Sequence, residues 1–249
     1  MKLVLSAALL ALAMPLAAHA QTVPAPIAAA LGDAGRPQAE KDRDAGRHPG
    51  EILAFAGIAP GQKVADFIMG GGYWTRILAP TVGPKGKVYA YQPAEFIQYR
   101  AAYADEQKAA AEGRANVAPL SDSLRSFAFP EPLDAIVTVQ NWHDLHLKAA
   151  APGAARGIAK KLYDSLKPGG VLLVIDHVAN TDPDFAVPQT LHRIDPAAAR
   201  AEIESAGFKF EGELPLLRNP NDPHTANVFT PEIRGKTDQF IYKFRKPAA

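Results

Sequence analysis

Beyond residue 20 the chain carries six histidines, and five of them fall after residue 140: His143, His146, His177, His192 and His224. Two stand directly beside an acid, His143 before Asp144 and His177 after Asp176. Imidazole has the ordinary pKa best suited to proton transfer near neutrality, and a neighbouring carboxylate can fix its orientation. His143 is therefore the first candidate for a general base, with His177 and His192 behind it and Asp144 or Asp176 as the orienting acid. The same residue types suit a nitrogen and oxygen metal site: His143, Asp144 and His146 can share a turn face, completed by His177, His192 or His224. Their spacing matches no dedicated zinc signature, so no metal is assigned, and a metal-assisted hydrolase or lyase stands as an alternative. Any single histidine can equally cap a helix or satisfy a loop carbonyl. Tyr73, Trp74 and Trp142 can wall an aromatic pocket, although packing is the favoured role of Trp74.

A second chemical feature lies at Lys63 to Thr75, KVADFIMGGGYWT: a short apolar run with an acid, then Gly70, Gly71 and Gly72 at the start of what reads as a helix. A strand, a tight turn and a helix in that order present backbone N–H groups and the positive end of the helix dipole to an anionic group. Adjacent glycines can also serve close packing of helix on strand.

These residues need a scaffold that brings distant segments to one rim. Pro49 to Phe55 reads as a helix ended by Ala59-Pro60-Gly61, and strands are expected at Lys63 to Ile68, Lys87 to Tyr91, Asn116 to Leu120, Leu133 to Val139 and Val171 to Ile175. Helices are expected after the glycines, over Ala94 to Glu112 and over Ala154 to Leu166, the last broken by Lys167-Pro168-Gly169-Gly170. Apolar strands alternating with helices imply a parallel sheet covered on both faces. The final third offers a helix at Asp195 to Ala206 and strands at Phe208 to Leu214 and Gln239 to Phe244. Between those strands runs a long polar segment, and Arg218, Asp222, His224 and Arg234 should reach the rim where strand carboxyl ends form the ligand crevice.

The 249 residues open with Met1-Lys2, an apolar run to Leu16 and Ala18-His19-Ala20, the order of a secretory signal peptide. Residues 1–20 are read as that signal, cleaved after Ala20, 21–48 as a partly disordered arm carrying little core, and 49–249 as one domain. The expected location is periplasmic or secreted, with no stable membrane insertion after cleavage. The absence of cysteine excludes thiolate nucleophiles and thiolate metal sites, and Lys+Arg 27 against Asp+Glu 26 gives no electrostatic case for nucleic acid. The expected partner is a small molecule.

The order of strand, GGG turn, helix and strand, then LDAIVTV with QNWHDLH, then LKPGGVLLVID, resembles the class I S-adenosylmethionine-dependent methyltransferases over roughly Pro49 to Lys246. GGGYWTRIL, NWHD, LHRID, LRNP and GKTDQF are most similar to an uncharacterised bacterial group of predicted exported methyltransferases. The resemblance implies an α/β, Rossmann-like, seven-stranded and mostly parallel sheet with helices on both faces and an antiparallel last strand. It implies S-adenosylmethionine as cofactor and methylation of a small acceptor at oxygen or nitrogen. Laid on the family's glycine-rich turn, Asp66 takes the acid's place, Gly70 and Gly72 those of the second and third glycines, with Gly71 between them, and Ile68 stands at the first glycine. Gln92, with Glu95 near it, stands where an acid usually holds the ribose hydroxyls; Ser121 and Asp122 match the adenine position, and Asn141 joins the cofactor set. Ile68 and Gln92 depart from the pattern and suit a second alternative, a non-catalytic binding module on the same fold.

Overall fold

A computed structural model describes residues 22–148 and 153–248, so the expected signal and its cleavage point lie outside the described residues. The described part begins with three short helices, α1 (Ala25–Leu31), α2 (Gln38–Lys41) and α3 (Asp44–Arg47), and then α4 (Pro49–Ala56). The alternating part follows: β1 (Lys63–Phe67), α5 (Tyr73–Val82), β2 (Lys87–Tyr91), α6 (Ala94–Tyr99), α7 (Ala102–Ala111), β3 (Val117–Leu120), β4 (Leu133–Val139), a 3₁₀ turn at His143–His146, α8 (Ala154–Ser165) and β5 (Leu166–His177). It closes with α9 (Pro188–Leu191), α10 (Pro196–Ser205), β6 (Lys209–Glu213) and β7 (Gln239–Arg245). None of the described helices is long and apolar enough to cross a membrane.

All seven strands form one sheet in the order β3-β2-β1-β4-β5-β7-β6. Pairing is parallel from β3 through β5, while β7 runs antiparallel to both β5 and β6. Alternate residues of each strand feed opposite faces: Leu173 and Ile175 join Val64, Ile77 and Leu78 on one side, and Leu172 and Val174 join Phe67, Phe240 and Phe244 on the other. Because both faces are covered by helices, the central strands are mostly apolar, with Asp66, Thr138 and Asp176 as buried polar exceptions.

Three local expectations change. The single helix expected over Ala94 to Glu112 is two, interrupted where Arg100 becomes extended at φ −140°. With the break, Gln107 on α7 reaches the sheet and its amide donates to the carbonyls of Ala90 and Leu120, both at 2.8 Å. Second, β5 runs through the expected Lys167 to Gly170 break. The register against β4 jumps from Leu133↔Leu166 to Ala135↔Val171, so the extra residues form a bulge in which the Gly169 amide donates to the Lys246 carbonyl. Third, the amino-terminal arm does carry core: Ile27 and Ala30 on α1 are buried and pack in the same cluster as Ile77 and Leu78 of α5.

Candidate functional site

The turn after β1 is held from below. Asp66, buried on β1, accepts the Thr75 hydroxyl at 2.6 Å and so ties the strand to the first turn of α5. Ile68, Gly70 and Gly72 all take positive φ, at 62°, 56° and 85°. A branched side chain at Ile68 adopts the left-handed conformation at a cost of about 1–3 kcal/mol. It belongs to the core on the Phe67 and Trp142 side, so it does not block the turn's mouth. Gly72 faces protein and Gly70 faces open space: a Cβ on Gly72 would stand 2.6 Å from the Ala110 Cβ, whereas one on Gly70 would meet nothing within 4 Å.

The turn offers fewer free amides than its sequence suggests. Met69 N–H donates to the Tyr91 carbonyl, Gly72 N–H to the Met69 carbonyl, and Gly70 N–H to Gln92 Oε1 at 2.9 Å. That leaves the Gly71 amide without a protein acceptor among the described residues. Gln92, immediately after β2, is fully buried, and its Nε2 is a donor with no partner among the described residues. Asn141, just past β4, donates to the carbonyls of Ile68 and Val139 at 2.9 and 2.7 Å, tying the ends of β1 and β4 together. At the far end of the same rim Ser121 and Asp122 are exposed; the Ser121 hydroxyl donates to Gln107 Oε1, and the Asp122 carbonyl accepts the Tyr91 hydroxyl. Glu95 accepts the Ser123 hydroxyl and the Leu124 amide, which with nearby Arg125 hold its pKa low against the effect of burial.

Burial pushes the Asp66 carboxyl up to about 6, against the Thr75 hydrogen bonds that favour its ionised form. A raised carboxyl binds a proton in the folded state that the unfolded chain has already released, so stability falls as pH rises from about 4 to about 6. Asp66→Asn removes that ionisation. The variant should gain on the wild type as pH rises through this window, by up to about 3 kcal/mol, and the difference should become independent of pH below about 4, as followed by urea unfolding across pH.

The histidines separate into distinct environments. His143, almost fully buried, has Nδ1 at 2.7 Å from Asp176 Oδ1 and its amide donating to Asp176 Oδ2. Its Nε2 stands 3.3 Å from Asp144 Oδ1, and His192 Nδ1 lies 3.7 Å from that same oxygen. Burial opposes charge on His143, but Asp176 and Asp144 outweigh it and raise its pKa to about 10. Burial likewise opposes charge on Asp144, yet His143 and His192 lower it to about 2. His143, Asp144 and His192 each offer one ligand atom within 4.8 Å of the others, an arrangement able to hold a proton or a cation. His146 instead pairs with Glu202 at 3.0 Å and stacks on Phe185, and His224 pairs with Asp238 at 2.9 Å. Neither joins the His143 group.

His177 faces a cavity of about 640 Å³ beside the carboxyl ends of β4 and β5. Its Nδ1 lies 2.7 Å from the Thr237 hydroxyl, and burial together with His143 holds it neutral, at a pKa of about 4, despite Asp176. The cavity also meets Trp74, Gln140, Gln239 and Phe229, with Arg234 from the long loop and Asp42, Arg43, Gly46 and Arg47 from the arm. Trp142 is absent from it, fully buried with its indole donating to Glu202. Of the loop residues expected at the rim, only Arg234 lines the cavity: Asp222 is buried against Arg193, and Arg218 lies near Glu213 and Asp238. The arm residues escape sequence reasoning because Asp42 to Arg47 carries no period or motif; its density of arginine was the one available signal.

The turn, Gln92, Asn141 and the cavity thus sit along one end of a sheet whose strand order and single antiparallel strand are now fixed. An S-adenosylmethionine-dependent methyltransferase from Aquifex aeolicus superposes with a TM-score of 0.56 at 20% identity, covering 84% of this chain and 95% of its own. The chain has the class I methyltransferase fold. The N-methyltransferase NodS from Bradyrhizobium japonicum shares this fold at a TM-score of 0.53 and 12% identity, over 83% of this chain and 96% of that one. So does an exported-protein candidate from Bordetella parapertussis, at 0.52 and 17%, over 83% and 68%. No protein-family model and no curated protein sequence matches the chain.

Proposed function

We propose that the protein is an S-adenosylmethionine-dependent methyltransferase acting at oxygen or nitrogen of a small molecule, in the periplasm or outside the cell. One observation carries this reading: the left-handed glycine turn and the unpartnered Gln92 amide lie at the same sheet end as a separate cavity. The residues present fit the cofactor. Gly70 leaves open space where a side chain would stand, and Gln92 Nε2 is a buried donor with no acceptor among the described residues. The backbone of Gly70 to Gly72, Gln92, Asn141, Ser121 and Asp122 would hold it, with Asp66 fixing the turn. When bound it supplies a methyl group already activated on a sulfonium, so the protein needs no covalent intermediate and contributes mainly alignment. His177, neutral and at the cavity wall, is the side chain placed to accept a proton at Nε2, while Nδ1 is engaged by Thr237. His143 supports from one layer behind, its ring 6.0 Å from that of His177. The leader-like first residues favour export.

Calorimetry with S-adenosylmethionine and S-adenosylhomocysteine tests the reading. Saturable binding is expected, weakened at least about tenfold by Gly70→Val, which fills the open space at the turn. Absence of binding by the wild type at millimolar ligand would remove the proposal.

A further inference from the structure

The arm and the first turn of α5 bring several guanidinium groups together. The guanidinium groups of Arg36, Arg43 and Arg47 stand 5.5, 5.6 and 4.6 Å from the centre of the Tyr73 ring. Arg36 is neutralised by a two-pronged pair with Asp44, both bonds at 2.7 Å, and Arg76 beside it by Glu40 at 2.7 Å. Arg43, Arg47 and Arg234 have no salt-bridge partner among the described residues, and all three line the cavity. The one carboxylate in that wall, Asp42, accepts the side-chain amide of Gln38 at 2.7 Å. Trp74, another wall residue, has its indole N–H buried without an acceptor among the described residues.

Around one cavity stand three guanidinium groups, the exposed Arg43 and Arg234 and the partly buried Arg47, together with an indole donor that has no acceptor among the described residues. Burial, and then repulsion from Arg43, lower the Arg47 pKa to about 10, so the arm holds this charge at a cost. Tyr73, Glu40 and Asp44 offset only part of that cost, so an anion entering the cavity would add counter-charge where Arg47 lines it. Beside the polar Gln140, His177 and Gln239, the wall carries an apolar part made by Val139, Ile175, Leu217, Val228 and Phe229. Planar forked donors match carboxylate and phosphate oxygens, and an apolar wall suits a hydrocarbon or aromatic body. We propose that this cavity binds an organic oxyanion, a carboxylate or phosphate on an apolar body, as the methyl acceptor. The assignment of that anion as acceptor rests on the methyltransferase reading; the cavity's preference for an anion does not.

Calorimetry with 4-hydroxybenzoate and its neutral counterpart 4-hydroxybenzamide provides the test. The carboxylate should bind at least about tenfold more tightly than the amide, and Arg47→Gln and Arg234→Gln should each remove most of that preference. Arg47→Lys should recover part of it; Arg234→Gln should leave the melting temperature unchanged, and Arg47→Gln should lower it only slightly, through loss of its contact with the Tyr73 ring. Equal affinity for the two probes, or a preference surviving both glutamine variants, would overturn the proposal. S-adenosylhomocysteine is titrated into the same proteins. Its affinity should stay within about threefold of wild type in the arginine variants. A loss as large as that seen for the benzoate would instead assign the arginines to the cofactor's own carboxylate and overturn the acceptor assignment. Wild type that binds the benzoate but not S-adenosylhomocysteine would keep the anion site and refute the methyltransferase reading.

Discussion

Arg193→Met is expected to destabilise the protein by about 3–5 kcal/mol, since it leaves a buried carboxylate without its partner. Arg193 is fully buried and bonds in three directions: to Asp222 at 2.8 and 3.1 Å, to the Val178 carbonyl at 3.0 Å and to the Ala226 carbonyl at 2.8 Å. It enters between a left-handed His192 and Ile194, whose backbone exchanges hydrogen bonds with His177 and Ala179 past the end of β5. Asp222 in turn accepts the amides of His224 and Asp238. One guanidinium thereby fastens the 218–236 loop, with Phe229 and Arg234, over the cavity. Thermal unfolding should show a fall in melting temperature of roughly 10 °C. The double variant Arg193→Met/Asp222→Leu should recover a large part of it, because the orphaned charge is then gone. A single variant within experimental error of wild type would show that the pair does not hold the loop.

Gly72→Ala is expected to cost about 2–4 kcal/mol, combining a left-handed backbone with an overpacked contact. The added methyl would stand 2.6 Å from the Ala110 Cβ, and the nearest relief is movement of α7 away from the turn. Gly70→Ala should cost only the backbone component, about 1–2 kcal/mol, since nothing lies within 4 Å. Urea unfolding of the two variants side by side separates a packing glycine from a glycine that keeps a mouth open. Equal destabilisation would contradict that division.

Most of the scaffold was legible from local pattern. Leu133 to Val139 and the helix after the glycines are apolar at the period their positions demand, and Asn116 to Leu120 needed only a shift of one residue. The antiparallel last strand came from resemblance rather than periodicity. What escaped the sequence was tertiary: the side chain of Gln92 turning inward to take the Gly70 amide, the reach of Gln107 to two strands, and the separation of His143 from His177 by the buried Asp176. Arg193 escaped for the same reason, because an arginine between His192 and Ile194 has no local signature of burial. The arm's low periodicity concealed Ile27, whose burial depends on contact with α5 and not on its neighbours in sequence.

The cavity wall built from Asp42 to Arg47 has a thermodynamic corollary. This wall is tied to side chains of α5 rather than to a strand: the Tyr73 hydroxyl donates to Asp44, Arg76 pairs with Glu40, and Arg43 and Arg47 stand over the Tyr73 ring. Occupancy and closure are then reciprocal: whatever enters the chamber must favour the seated arm by the same free energy with which the seated arm favours entry.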